Sequence, residues 1–279
     1  MQYLDLTLFV DHRPGFSAIA YLETMKANGV LPKKIICLAF TRARRVQQLS
    51  YVFGQSIAHR IFDQYLKRQQ KKMFKFLSEI EYDIQQSVGY HIQFFKKINL
   101  KEYTQTVETI YLDSYKDKNF LNYIQEEECK TFLYASSGIV PADLLNIHGI
   151  KIIHIHPGIV PEVKGSDGLF YSYLLKGKLG YSVFYMNSGI DTGDIILQKE
   201  WEFPKLYFRK YYNDTHLYKA ILAFIDSYYR AQILLILLQK NTQNLEALSC
   251  IKQDMQEGKT YFTMHPKLRS CIVRRMVQI

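Results

Sequence analysis

Residues Leu4 to Val10 alternate and are rich in strand formers, the polar stretch Asp11-His12-Arg13-Pro14-Gly15 interrupts them, and Ser17 to Asn28 carries helical periodicity that stops at Gly29. With Lys34 to Phe40 as a second strand, this predicts a strand, helix, strand unit whose strands lie parallel through a right-handed crossover. From Thr41 to about Asn99 the pattern is mostly helical. Alternation then resumes, with Thr109 to Leu112 as strand, Asp117 to Glu128 as helix, Thr131 to Ala135 as a buried strand, Pro141 to Asn146 as a short helix and Ile150 to His156 as the next strand. Tyr181 to Asn187 and Ile195 to Trp201 predict two further strands around the tight sequence Ser188 to Asp194. Beyond Pro204 the chain is largely helical, with one long helix from Thr215 to Gln239. The expected architecture is α/β, a mostly parallel sheet over residues 1–204 followed by a helical extension over residues 205–279.

Two histidines one residue apart close the apolar run before Pro157-Gly158. Alternate side chains of a strand share a face, so His154 and His156 point the same way from the strand's C-terminal edge. In α/β sheets that edge is where ligands bind. Three loops leave predicted strands there: Ser136 to Pro141, His154 to Gly168, and Gly189 to Asp194. Their tips are expected to converge on one crevice, bringing two imidazoles near one or two carboxylates. An imidazole beside a carboxylate is suited to proton transfer and can donate to a developing oxyanion. The same His-x-His plus a carboxylate from another loop is also a usual arrangement for a divalent metal. Each loop has a plainer reading as well, since Gly and Pro close turns and Asp191 can cap one. The other histidines, His12, His59, His91, His148, His216 and His265, lie in predicted loops or helices and default to surface or packing roles.

Composition narrows the classes. Apolar residues make up 48% of the chain, Tyr (22) and Phe (17) are abundant and no low-complexity stretch occurs, which excludes a disordered chain. The 36 Lys plus Arg against 26 Asp plus Glu leave a net charge of +10, which favours phosphate-bearing ligands, nucleic acid or an anionic membrane surface. Much of that excess comes from Arg42, Arg44, Arg45, Lys67, Arg68, Lys71, Lys72 and Lys75, on a helical stretch without evident chemistry. Cys37, Cys129, Cys250 and Cys271 are scattered and no signal-peptide pattern opens the chain, so reduced thiols and a cytoplasmic location are expected. The most apolar stretch, Ile221 to Leu238, contains Asp226, Arg230 and Gln232, which argues for a packed helix and against a membrane span.

The block from Ala135 to Leu197 resembles the catalytic domain of the formyltetrahydrofolate-dependent formyltransferases, a family that includes methionyl-tRNA, glycinamide ribonucleotide and nucleotide-sugar N-formyltransferases. The residues that carry the resemblance are His154-Ile155-His156-Pro157-Gly158-Ile159-Val160-Pro161, Lys164-Gly165 and Asp191-Thr192-Gly193-Asp194. Gly138-Ile139-Val140-Pro141 looks like the family's loop that helps hold the folate pterin, and Gly258-Lys259-Thr260-Tyr261-Phe262 looks like a short segment of some sugar formyltransferases. The resemblance implies a Rossmann-like sheet and transfer of a formyl group from 10-formyltetrahydrofolate to a primary amine. It assigns catalysis to His154, His156 and Asp191, with His156 stabilising the oxyanion and moving the proton and Asp191 orienting it. The family has Asn where this chain has His154. Cofactor contacts are expected from Ser137, Gly138, Ile139, Val140, Gly189, Ile190 and Asp194, and acceptor contacts from Arg13, Gly15, Ser17, Lys164 and Gly165. The resemblance expects no metal and a small, phosphate-bearing amine, such as a nucleotide-linked amino sugar, in place of nucleic acid. The alternatives are a metal-dependent hydrolase using His154, His156 and Asp191, and a catalytically degenerate binding protein. The aromatic-rich tail offers an interface for a homodimer.

Overall fold

A computed structural model describes residues 1–41, 43–240, 245, 248–254 and 257–277, so that Arg42 of the basic stretch lies outside the described residues. Seven strands form one sheet: β1 (Gln2–Asp11), β2 (Val30–Phe40), β3 (Thr106–Leu112), β4 (Thr131–Ala135), β5 (Lys151–His156), and, after the short β6 (Val163–Gly165), β7 (Lys178–Tyr185) and β8 (Ile195–Glu202). Their order is β3-β2-β1-β4-β5-β7-β8. The first five of these run parallel, and β7 and β8 add antiparallel at the edge. From β1 the chain builds outward through β2 and β3, then returns to place β4 and β5 on the other side. That reversal between β1 and β4 opens a crevice at the strands' C-terminal ends.

The period of two along the strands divides the core. Leu8, Val10, Ile35, Cys37, Ile153 and Ile155 enter one cluster, while Phe9, Ile36, Leu38 and Ile152 enter the other. The first cluster is closed by α1 (Phe16–Ala27), by α3 (Gln55–Val88), which follows the short α2 (Arg44–Phe53), and by a long C-terminal helix. The second is closed by α4 (Lys118–Glu126) and α5 (Ala142–Leu145), which follow β3 and β4. Full burial of side chains such as Leu8 and Phe9 is worth about 1.5–3 kcal/mol each.

The helix expected from Thr215 to Gln239 is present as α7 (Asp214–Ala220), a π-helical turn over Ile221–Asp226 and α8 (Ser227–Lys240). It is long and apolar enough to cross a membrane by length and composition, but Leu217, Ile221, Phe224, Ile233, Leu234 and Leu237 sit in the core against the sheet and α1. The segment therefore packs as an integral part of the fold. Three elements escape the hydrophobic pattern: β6, α6 (Gly168–Lys176) and β9 (Lys259–Tyr261). Strands β6 and β9 have three residues each and pair in parallel across almost a hundred residues of chain, which leaves no local periodicity to detect. The helix α9 (Pro266–Val277) closes the described chain, and all four cysteines are free.

Candidate active site at the end of β5

His154 and His156 leave β5 on the face their spacing implies, and the loop after them is bound tightly to the sheet. The Ser182 hydroxyl of β7 donates to the Gly158 carbonyl at 2.7 Å and accepts the Val160 amide at 3.1 Å. Gln198 of β8 donates to Ser182 Oγ at 3.0 Å. Glycine is required where the backbone crosses the His156 ring. A Cβ at Gly158 would lie 2.5 Å from the Val163 carbonyl and 2.7 Å from His156 Nε2, and one at Gly168 would lie 2.0 Å from the Pro157 carbonyl. All three contacts are shorter than real carbon positions tolerate, so these glycines permit the ring to be enclosed.

Strand β6 fixes both members of the central pair. The Val163 carbonyl lies 3.0 Å from His156 Nε2, and since a carbonyl only accepts, Nε2 carries the hydrogen. Two residues on, the Gly165 amide donates to Asp191 Oδ2 at 2.7 Å. Nδ1 of His156 then faces Asp191 Oδ2 at 3.4 Å. Asp191 reaches this position with φ of 53°, in a left-handed conformation that Asp tolerates better than most residues. Around it, Asn187 accepts the Gly189 amide and the Thr192 hydroxyl and donates to the Thr192 carbonyl, an Asx-type clamp. Gln253 donates to the carbonyls of Asp191 and Gly193 from the C-terminal segment. Strand β9 in turn holds β6, with the Tyr261 carbonyl accepting from the Ser166 amide.

The electrostatics favour uncharged rings. Burial lowers the pKa of His156, and Arg230 lowers it further, against the opposing pull of Asp191. His154 is held well below the ordinary histidine value by burial, by the Arg230 charge and by His156. Its ring packs edge-on to Tyr134 and Phe184, and its Nδ1 is enclosed without a hydrogen-bond partner. His154 is thus a neutral imidazole. Arg230 stands half-buried beside the histidines, where its Nε donates to Asp226 at 2.8 Å and its Nη1 to the Ile155 carbonyl. Desolvation pulls the guanidinium pKa down, but the charge and hydrogen bond of Asp226 together with Tyr21 and Tyr181 outweigh it and raise the pKa.

These groups floor a cavity of about 590 Å³. His154, His156, Asp191, Gly165 and Ile190 line it, together with Asp226, Arg230, Tyr218, the β9 residues Thr260 and Tyr261, and Phe262 just after them. Three large apolar side chains stand exposed at its edge, Ile139 (82%), Ile190 (56%) and Phe262 (82%). Ile139 is shared with an adjoining cavity of about 340 Å³ lined by Phe40, Ser114, Tyr115, Lys116, Ser137 and Gly138. Ser137 donates through its amide and hydroxyl to Asp11, which ties the β4 loop to the end of β1.

Other expected contacts are placed elsewhere. Val140 is buried in the second core cluster, and Gly189 and Asp194 are exposed outside the residues that line the cavity. Arg13, Gly15 and Ser17 also stand outside both cavities, and the Ser17 hydroxyl pairs with Ser227 at 3.2 Å. Lys164 corrects its expected role: it is buried, and its amine donates to the Glu257 carbonyl at 3.2 Å, so it clamps β6 to the tail in place of meeting a phosphate. The sequence pattern missed Asp226 and Arg230 as site residues. Their signal was a pair of opposite charges, four residues apart, inside the most apolar stretch of the chain.

Residues 95–216 match the family model described as formyl transferase. Over 92 residues, 32% of this chain, the sequence is 32% identical to the methionyl-tRNA formyltransferase of Syntrophus aciditrophicus, of which the match covers 29%. The chain thus spans less than a third of the curated relatives it matches at the head of the comparison. Among solved structures, a sugar N-formyltransferase from Shewanella is 17% identical with a TM-score of 0.47, covering 98% of this chain and 87% of that one. A 4-N formyltransferase from Francisella tularensis is 16% identical with a TM-score of 0.48, covering 96% and 85%.

Proposed function

We propose that this chain, formyltransferase-like over residues 95–216, transfers a formyl group from 10-formyltetrahydrofolate to the primary amine of a small, phosphate-bearing acceptor. The observation that carries the reading is the locked pair at the base of the cavity, His156 with its Nε2 hydrogen committed to Val163 and its Nδ1 turned to Asp191. Such a ring has one place left for a proton, Nδ1, and the carboxylate beside it stabilises the imidazolium that results.

The cavity suits the donor. Its floor is polar and its edge carries Ile139, Ile190 and Phe262, exposed apolar side chains that a flat pterin ring would cover. When bound, the donor supplies the formyl group: the amine lone pair forms a bond to the formyl carbon, the folate nitrogen-to-carbon bond breaks, and the proton lost by the amine ends on the folate nitrogen. The chain's part is to hold that proton between the two events, at His156 Nδ1 beside Asp191. Arg230 and the neutral His154 face the same space, the first as a fixed positive charge toward oxygen that becomes negative. The adjoining cavity, with Lys116 and the small residues Ser114 and Ser137, suits the acceptor and its phosphate. Ile139 between the two cavities brings donor and acceptor to a common wall.

The test is a formyl-transfer assay with 10-formyltetrahydrofolate and a panel of amino sugars on nucleotides, in buffer stripped of metals. Release of tetrahydrofolate that depends on an amine is the expected result. Failure of the folate or a non-transferable analogue to raise the melting temperature at saturating concentration would remove the donor site from the reading.

A further inference from the structure

We propose that His154, His156 and Asp191 form a three-ligand site for a divalent transition cation of the zinc class, open toward the cavity. One ring nitrogen from each histidine and one carboxylate oxygen of Asp191 lie within 4.8 Å of one another. The inference stands on this geometry and is independent of the formyl-transfer reading.

The argument starts from the hydrogens. With Nε2 of His156 donating to Val163, Nδ1 of the neutral ring presents a lone pair, and what it faces at 3.4 Å is a carboxylate oxygen, itself an acceptor. Two acceptors turned toward each other are stable only with a positive centre between them, a proton or a metal ion. The separation fits the second. Ligand bonds of about 2.0–2.1 Å at a tetrahedral angle put neighbouring ligand atoms about 3.4 Å apart. The third ligand residue is His154, whose enclosed Nδ1 has no hydrogen-bond partner. Bringing the widest of the three separations, no more than 4.8 Å, to a tetrahedral edge requires a shift of at most about 1.4 Å, within the range of side-chain rotations.

The surroundings are those of an oriented ligand set. A backbone carbonyl fixes the tautomer of His156 and a backbone amide fixes Asp191, the outer contacts that hold metal ligands in position. Both come from β6, so the two ligands share one rigid support. Three protein ligands facing a cavity leave the fourth position to solvent or to a ligand, as in reactive zinc sites and unlike closed structural ones. A cation there occupies the place of the proton at His156 Nδ1, so metal binding and the proposed proton relay exclude each other.

The probe is Zn²⁺ or Co²⁺ added to metal-free full-length protein, without folate. One equivalent should bind by calorimetry, and Co²⁺ should show the intense visible bands of tetrahedral coordination. His154→Asn, which keeps a short polar side chain, should weaken binding at least 10- to 100-fold with an unchanged melting temperature, and Asp191→Asn should do the same. His59→Gln, at a different histidine pair, should leave metal binding unchanged. Absence of stoichiometric binding, or Co²⁺ spectra identical in wild type and His154→Asn, overturns the proposal. Because the formyl-transfer assay is run without metal, either reading can fail while the other stands.

Discussion

Two histidine pairs lie close to carboxylates in this fold, and only one of them lines the large cavity. At the end of β5, His154 and His156 come from a single strand, Asp191 from a clamped loop, and all three offer ligand atoms to one point beside a cavity. At the end of β1, His12 comes from a loop and His59 and Asp63 from the first turns of α3. Those rings meet edge to face at 5.4 Å, and His12 lies 3.7 Å from Asp63, but neither ring nor carboxylate lines the large cavity. His59 is buried against Tyr111 with its Nε2 unpartnered, as a packing residue is. The lesson is that residue type and proximity are common to both places, whereas convergence on an open space belongs to one.

The sharpest way to break the comparison is to disable the β5 site. His156→Ala and Asp191→Asn should each lower formyl transfer by roughly 100- to 10,000-fold, the usual worth of a placed acid-base group, with circular dichroism and melting close to wild type. Equal activity in these variants would remove the relay. A smaller but more discriminating change lies far from the chemistry in sequence. Gly258 has φ of +77°, and a Cβ there would sit 1.6 Å from the Pro161 carbonyl, so Gly258→Ala should push β9 from β6 and loosen Val163 and Gly165 together. A misplacement of about 1 Å typically costs on the order of 100-fold, and kcat should fall before binding does. Full activity would show that β6 needs no support from the tail.

The two pairs share one property, a buried histidine kept neutral, and it has a pH signature. His154 and His59 both have folded pKa values below the unfolded one, in each case chiefly through burial. Above about pH 6.5 neither state takes up the proton; below it the unfolded chain binds more protons, so stability falls as pH drops, by up to about 1.4 kcal/mol per pH unit for each proton. Melting temperature measured from pH 8 to pH 5 should show this, and His59→Gln should remove part of the slope. The smallest effect is expected at the partly exposed ion pair of the β1 site. His12→Ala and Asp63→Asn should change transfer less than about threefold and stability by less than about 1 kcal/mol. A large loss there would make the β1 site part of the machinery.

Much of this could be read along the chain. The parallel core strands follow from apolar runs separated by helical periodicity, and Thr131 to Ala135 is a strand with the bounds the pattern implies. His154 and His156 were legible as a pair because the two-residue period of a strand is fixed by covalent geometry. Asp191 was legible because Asn, Gly, Asp and Thr crowded between two strands announce a tight turn. Arg230 was visible only as an anomaly in an apolar stretch, and the acceptor contact that the resemblance implied for Lys164 gave no sign that its side chain is buried. Its burial depends on a carbonyl of Glu257, more than ninety residues away.

The sequence by itself determined the elements, the sheet class and the shared face of two histidines, since each is set by dihedral preference and by spacing over a few residues. Only the tertiary structure decided that β6 and β9 pair, that this pairing fixes the His156 tautomer and the Asp191 carboxylate, and that both rings stay neutral. Those outcomes depend on burial and on hydrogen bonds between residues distant in the chain, and such contacts have no period.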